Sequence, residues 1–224
     1  FDLDHTLWDY ETNPSAALIQ LYNKYDLASL GAVATEEFLK RFTKINNELW
    51  DKHDRNEITR DVLRNDRFDL VFKASGLDHR ELSLRFSEEY LVESPKGKHL
   101  VPHALDLLNY LKSKGYKLYV VTNGFEEIQG TKIASGGITH YFDGIVTSAR
   151  AGFKKPDRGI FDFVLKESGH HSDHSIMIGD NLLTDIAGAR NASIDSVFFN
   201  PHGVEHSEPV THEIRSLKEL FAIL

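Results

Sequence analysis

The chain has 224 residues, of which 41% are hydrophobic and 27% are charged, a composition typical of a folded globular protein. Its net charge of −8 argues against polymeric nucleic acid as a partner, because such binding depends on Lys and Arg that contact phosphates. The absence of cysteine excludes disulfides, thiolate zinc sites and cysteine catalysis, and no apolar run approaches the ~20 residues that span a bilayer. We therefore expect a cytoplasmic protein without a membrane partner.

The N-terminal residues predict a strand that ends at Asp2-Leu3-Asp4 and that looks cut short at Phe1, so further residues are expected before it. Residues 13–94 then predict helices only. Apolar residues recur there at helical spacing in two series, Ala17, Leu18, Leu21, Tyr22 and Tyr25, then Phe38, Leu39, Phe42, Ile45 and Leu49. Two more helices are predicted near 59–75 and 79–92, the first with Thr59 as its N-cap.

From about residue 103 the pattern alternates between helix and strand. Short apolar strands are predicted at 117–122, 144–148, 175–178 and 195–199, and helices are predicted near 103–114, 126–135, 157–168 and 182–191. This alternation favours βαβ units and an α/β fold with a Rossmann-like parallel sheet. The helical block interrupts it as an insertion, which predicts a core of residues 1–12 and 95–224 and a helical cap of residues 13–94.

Polar residues follow the predicted strands where each strand ends. These strand ends are Asp2-Leu3-Asp4-His5-Thr6, Thr122-Asn123-Gly124, Lys154-Lys155-Pro156 and Asp180-Asn181 with Asp185 beyond. Ligands bind outside the carboxyl ends of strands in open parallel sheets, so these side chains are expected at one rim. Clustered carboxylates repel one another unless a cation lies among them, and hard oxygen ligands favour magnesium. A histidine metal site is disfavoured, because His170, His171 and His174 lie in a polar stretch and the other histidines are scattered.

The four strand ends resemble, in order, the signature motifs of the haloacid dehalogenase superfamily. The resemblance implies that Asp2 is the nucleophile and that Asp4 is the general acid and base. It implies phosphate binding by Thr122, Asn123 and Lys155. It also implies Mg²⁺ held by Asp2, the backbone carbonyl of Asp4 and Asp180, with Asp185 acting through water or by orienting Lys155. Lys155 is preferred to Lys154 because the superfamily's lysine directly precedes the proline.

These residue types suit phosphoryl transfer, which depends on positioning and on cationic stabilisation of the equatorial oxygens. Asp4 follows Asp2 by two residues, so both side chains project from the same face of an extended segment. Superfamily members that cleave carbon–halogen bonds lack this second aspartate, and its presence therefore favours a phosphatase. A phosphomutase, a dehalogenase and a non-catalytic binding module remain as weaker alternatives.

The inserted helices resemble the cap of the bacterial pyrimidine 5′-nucleotidases. The resemblance is carried by Asn46-Asn47-Glu48-Leu49-Trp50, Asn56-Glu57-Ile58-Thr59 and Arg67-Phe68, and in the core by Val121–Phe125, Lys155-Pro156-Asp157 and Ile160-Phe161-Asp162. It implies a pyrimidine nucleoside 5′-monophosphate as substrate, with Asn46, Trp50 and Arg67 contacting it. Packing roles for Trp50 and Phe68, and another small substrate such as phosphoglycolate or a sugar phosphate, stay open. A monomer or a dimer is expected.

Overall fold

The computed structural model describes all 224 residues, which divide into two units. Phe1–Tyr10 and Lys98–Leu224 form one unit, which we call the core unit. Glu11–Gly97 form the other, which we call the cap unit. None of the helices is both long enough and apolar enough to cross a membrane.

The cap unit consists of four helices, α1 (Thr12–Lys24), α2 (Thr35–Asp54), α3 (Arg60–Ala74) and α4 (Arg80–Glu93). The predicted N-cap is present, since the Thr59 hydroxyl accepts a hydrogen bond from the Val62 N–H at 3.3 Å. The four helices share an aromatic cluster, in which Phe68 and Phe86 are fully buried with ring centres 4.9 Å apart. Burial of side chains of this size contributes about 1.5–3 kcal/mol each, which is how these amphipathic helices hold together.

The core unit contains five short strands, β1 (Tyr119–Thr122), β2 (Gly144–Thr147), β3 (Ile176–Gly179), β4 (Asp195–Phe199) and β5 (His212–Ile214). All the strand pairs, β1–β2, β3–β4 and β4–β5, are parallel. The predicted α/β fold with a parallel sheet is therefore confirmed. β5 was not predicted, because its three residues include the exposed His212 and Glu213 and show no apolar run.

The N-terminal segment joins the two groups of strands. The Val121 N–H donates to the Phe1 carbonyl at 2.8 Å, and the Asp2 N–H donates to the Ile178 carbonyl at 2.9 Å. Phe1 and Asp2 thus lie between β1 and β3, although the segment is too short to be assigned as a regular strand. Asp2 is consequently placed at the carboxyl ends of both neighbouring strands.

Helices cover both sides of this sheet. They are α5 (Ala104–Ser113), α6 (Glu126–Ser135), α7 (Ser148–Ala151), α8 (Arg158–Ser168) and α9 (Ala187–Asn191), and a π-helical turn at Leu182–Ile186 leads into α9. One apolar cluster joins α5 and α6 to the sheet through residues such as Leu107 and Ile133, and a second joins α8 and α9 to it through Phe161 and Ala189. The sheet is buried on both faces, as its apolar strands require.

Candidate active site

Lys155 is the centre of a buried ion cluster at the carboxyl ends of the strands. Its Nζ lies 2.6 Å from Asp2 Oδ1 and 2.6 Å from Asp185 Oδ1. The side chains are 3%, 12% and 1% exposed for Lys155, Asp2 and Asp185, so water does not screen these contacts. The structure therefore brings together residues that are 153 and 30 positions apart in the chain.

The Asn123 side chain fixes the backbone of Lys155. Asn123 Oδ1 accepts from the Lys155 N–H at 2.8 Å, and Asn123 Nδ2 donates to the Lys155 carbonyl at 2.9 Å. Because both ends of the amide are engaged, this side chain positions the lysine. The sequence predicted that Asn123 binds phosphate and did not predict this positioning role. Lys154, the competing lysine, is half-buried, whereas Lys155 is the one that reaches the carboxylates.

The segment after β3, which includes the π-helical turn Leu182–Ile186, places Asp180 and Asp185. The Thr6 hydroxyl donates to Asp180 Oδ1 at 2.8 Å, and the Asn181 N–H donates to Asp185 Oδ2 at 3.1 Å. A side chain at Gly179 would clash with Asp185, since an added Cβ would lie 2.2 Å from its Oδ2. Sequence reasoning gave Thr6 no role, because it lies beyond the predicted strand, in a turn that begins at His5 with a φ of 62°.

The geometry and electrostatics of the carboxylates fit a divalent cation. One oxygen of each of Asp2, Asp180 and Asp185 lies within 4.8 Å of the others. Burial raises the pKa of Asp2 to about 7 against the opposing effect of Lys155, and the Asp185 carboxylate adds to the rise. Burial, together with Asp2 and Asp185, also raises the pKa of Asp180 well above its usual value. A cation bound to these hard oxygen donors would favour their charged forms, and the donor set matches magnesium.

Lys155 remains charged in this surrounding. Burial alone would lower its pKa, but the carboxylates of Asp185 and Asp2 outweigh that effect and raise the pKa above its ordinary value. The buried ammonium is therefore a permanent positive charge beside Asp2, which suits a group that neutralises phosphoryl oxygens.

Thr122 lies at the end of β1 and is 2% exposed. Its hydroxyl oxygen accepts from the Gly124 N–H at 3.0 Å, so its orientation is set by the turn that follows the strand. The hydroxyl proton is not used by that contact and is available for a phosphoryl oxygen.

Asp4 is held separately from the Lys155 cluster. Its two carboxylate oxygens lie 2.6 and 2.7 Å from Lys132 Nζ, and Gln129 Nε2 donates to Oδ2 at 3.2 Å. Sequence reasoning missed Lys132 and Gln129, because they are 128 and 125 positions from Asp4 and belong to no strand end. Their three-residue spacing on α6 puts them on one helix face. Many pairs of exposed residues have the same spacing, so it does not single out these two.

In the cap unit, Asn46 and Arg67 contact each other. Arg67 Nη1 donates to Asn46 Oδ1 at 3.1 Å, and both residues are 2% exposed. The Arg67 guanidinium lies 5.0–5.8 Å from the ring centres of Phe42, Phe68 and Tyr90, and its Nε and Nη2 are buried without a hydrogen-bond partner. Trp50 is half-buried and meets the His53 ring edge-on, whereas Phe68 is fully buried.

Comparisons with known proteins identify the family of this chain. Residues 1–199 match the family model of haloacid dehalogenase-like hydrolases. The chain belongs to this family. Its relatives include the pyrimidine 5′-nucleotidase PynA of Streptococcus pneumoniae, with 33% identity over 100% of this chain and 93% of the relative. A glyceraldehyde 3-phosphate phosphatase of Methanothermobacter thermautotrophicus is 30% identical, over 98% of this chain and 97% of the relative.

A solved structure extends the comparison to three dimensions. The HAD-hydrolase YfnB of Bacillus subtilis, described as bound to magnesium, aligns with a TM-score of 0.88 and 29% identity. The alignment covers 100% of this chain and 96% of that one. The predicted superfamily, its fold class and the assignment of this hydrolase as an enzyme are thereby confirmed.

Proposed function

We propose that this hydrolase is a magnesium-dependent phosphatase that removes phosphate from a pyrimidine nucleoside 5′-monophosphate through an aspartyl-phosphate on Asp2. The observation that carries the proposal is the Lys155 ammonium between the Asp2 and Asp185 carboxylates, with Asp180 beside them. A buried cluster of this kind costs desolvation energy, and buried charged groups with shifted pKa values are concentrated at functional sites.

Asp2 is the proposed nucleophile. One carboxylate oxygen attacks phosphorus, and the bond from phosphorus to the 5′ oxygen of the nucleoside breaks in line with that attack. Lys155 and the Thr122 hydroxyl neutralise and orient the equatorial phosphoryl oxygens. The Asn123 amide keeps the lysine in place, because it holds both the N–H and the carbonyl of Lys155.

Asp4 is the proposed proton carrier. It gives its proton to the 5′ oxygen as the nucleoside leaves, and then takes a proton from the water that attacks phosphorus. The second attack expels the Asp2 carboxylate and releases phosphate, so that both aspartates return to their starting states. General acid–base catalysis of this kind contributes roughly 10²–10⁴-fold to a rate.

The metal ligands proposed are Asp2, Asp180 and the backbone carbonyl of Asp4, with Asp185 acting through water or through Lys155. Magnesium bound there would neutralise charge on the phosphoryl group and hold it in line with Asp2.

Removal of divalent cations should abolish turnover. We expect EDTA to silence the enzyme and magnesium to restore it better than calcium, because calcium favours longer ligand distances and more ligands. The measurement is the initial rate of phosphate release after chelation and readdition of each ion. Full activity after exhaustive chelation would refute the metal assignment.

Arg67 supports a ligand in the cap unit. Its two unpaired nitrogens, Nε and Nη2, form one edge of the guanidinium and can only donate hydrogen bonds. Buried donors without acceptors cost about 1–3 kcal/mol each, which argues that a ligand supplies the acceptors. The carbonyl oxygens of a pyrimidine are acceptors, and Trp50 offers an aromatic face for stacking.

Variants of the cap should separate base recognition from chemistry. Stacking of a base on an aromatic side chain contributes ~1–3 kcal/mol, so Trp50→Ala should lower kcat/KM for dUMP about tenfold or more. Arg67→Met should act in the same direction. Hydrolysis of p-nitrophenyl phosphate, which has no base, should stay near the wild-type rate in both variants.

The control is Arg85→Met, which removes an arginine whose side chain is 58% exposed on α4. Equal losses on dUMP and p-nitrophenyl phosphate, with a lower melting temperature, would make Trp50 and Arg67 packing residues. The wild-type enzyme should also prefer dUMP to phosphoglycolate and glucose phosphates. The reverse preference would favour a phosphatase of another small metabolite, the candidate that the glyceraldehyde 3-phosphate phosphatase relative supports.

A further inference from the structure

Lys132 is a buried cation that belongs to none of the four strand ends. It lies on α6, and its side chain is 6% exposed. Its Nζ is 2.6 Å from Asp4 Oδ1 and 2.7 Å from Asp4 Oδ2, so one ammonium contacts both oxygens of the carboxylate. The four-carbon stem of lysine is flexible, so the ammonium keeps one position only if its surroundings restrict it.

Two aromatic rings supply that restriction. Lys132 Nζ lies 4.7 Å from the ring centre of Trp8, which is fully buried, and 5.1 Å from the ring centre of Tyr10. The faces of these rings attract a cation electrostatically, but they do not accept strong hydrogen bonds from it as a carboxylate does. The ammonium is therefore enclosed by two rings and one carboxylate, and it has a single strong acceptor group, Asp4.

Gln129 contacts the same carboxylate from the preceding turn of α6. Its Nε2 donates to Asp4 Oδ2 at 3.2 Å, and its side chain passes against Gly124, where an added Cβ would lie 1.6 Å from Nε2. The absence of a side chain at Gly124, in the turn after β1, thus leaves room for Gln129. α6 presents two side chains, three residues apart, to one carboxyl group that is 22% exposed.

We propose that Lys132 is a positioning residue for Asp4, an inference that rests on the function proposed above. Asp4 acts twice, first on the leaving oxygen and then on the attacking water, and both occupy the position opposite Asp2. The carboxyl group must therefore keep one orientation through both steps. Contact of Nζ with both oxygens fixes that orientation, and a displacement of about 1 Å at such a group costs on the order of 10² in rate.

The test is Lys132→Met in the full chain with magnesium, assayed on dUMP and on p-nitrophenyl phosphate. On dUMP we expect kcat to fall about a hundredfold while KM stays within about threefold, because the change affects proton transfer and not binding. Nitrophenolate leaves without needing a proton. Rapid mixing with p-nitrophenyl phosphate should therefore show a burst of about one nitrophenolate per enzyme at near the wild-type rate, followed by slow turnover.

Three variants sharpen the result. Lys117→Met, which removes a lysine 58% exposed and paired with Asp143, should leave both assays unchanged. Lys132→Arg, which keeps the charge, should recover part of the dUMP turnover and decides the question where Lys132→Met does not fold. Lys132→Met combined with Asp4→Asn should be no slower than Asp4→Asn alone, because the lysine acts through Asp4.

The outcomes separate this inference from the proposed function. Wild-type kcat on dUMP in Lys132→Met, beside an inactive Asp4→Asn, overturns the role of Lys132 only. The role of Lys132 is also overturned if the loss of activity in the double variant is the product of the losses in the two single variants. Equal losses of Lys132→Met on both substrates, without a burst, overturn it too. An active Asp4→Asn variant instead removes Asp4 from the mechanism. Should the wild type not hydrolyse dUMP, the burst and turnover with p-nitrophenyl phosphate still decide whether Lys132 positions Asp4.

Discussion

Asp2→Asn should lower kcat by at least about three orders of magnitude and leave the fold intact. The amide has nearly the shape of the carboxylate, and its oxygen can still accept the hydrogen bond that Lys155 donates at 2.6 Å. An amide is, however, a very poor nucleophile, so the covalent step is lost. The measurement is steady-state phosphate release from dUMP in a purified variant, with a thermal melt to verify folding.

A second variant and direct detection of the phosphorylated enzyme exclude artefacts in this result. Asp2→Ala should be as inactive as Asp2→Asn, which excludes slow deamidation of the asparagine as a source of residual rate. Acid-quenched wild-type enzyme should carry one additional phosphoryl group on the peptide that contains Asp2, and Asp2→Asn should carry none. Retention of a tenth of the wild-type activity in either variant would remove Asp2 from the mechanism.

Sequence reasoning predicted the part of the site whose position follows from the general geometry of parallel sheets. Asp2, Lys155 and Asp185 are not neighbours in the chain, yet each lies at or beyond the carboxyl end of a predicted strand. The carboxyl ends of parallel strands meet at one edge of a sheet. The apolar runs of the strands were visible because both faces of the sheet are buried. The alternation of helix and strand therefore predicted both the fold class and the grouping of the charged residues.

Sequence reasoning did not predict the side-chain contacts within the site, because the spacing of apolar residues along the chain carries no information about them. Lys132 and Gln129 lie on α6, and their contact with Asp4 depends on how that helix packs on the sheet. The two-way hydrogen bonding of Asn123 to the Lys155 backbone is also a product of tertiary structure. In the cap unit, packing roles were left open for both Trp50 and Phe68, because helical spacing did not distinguish the half-buried Trp50 from the fully buried Phe68.

Lys155→Met should impair both activity and stability, and the two effects have different causes. Turnover should fall by about two to three orders of magnitude, because the group that neutralises the phosphoryl oxygens is lost. The free energy of unfolding should fall by about 3–5 kcal/mol in EDTA, since removal of one partner leaves the buried charges of Asp2 and Asp185 uncompensated. Denaturant unfolding with and without magnesium measures the second effect.

Magnesium should distinguish an electrostatic origin of the instability from a packing defect. Bound to the same carboxylates, the ion would replace part of the missing positive charge, so Lys155→Met should gain more stability from magnesium than the wild type gains. A cavity left by a shorter side chain would show no such dependence. Lys154→Met is the matched control, because it makes the same change one residue earlier at a half-buried position. Wild-type turnover in Lys155→Met with a large loss in Lys154→Met would reverse the assignment of the two lysines. Equal gains from magnesium in Lys155→Met and wild type would mean that the ion does not bind beside Asp2 and Asp185.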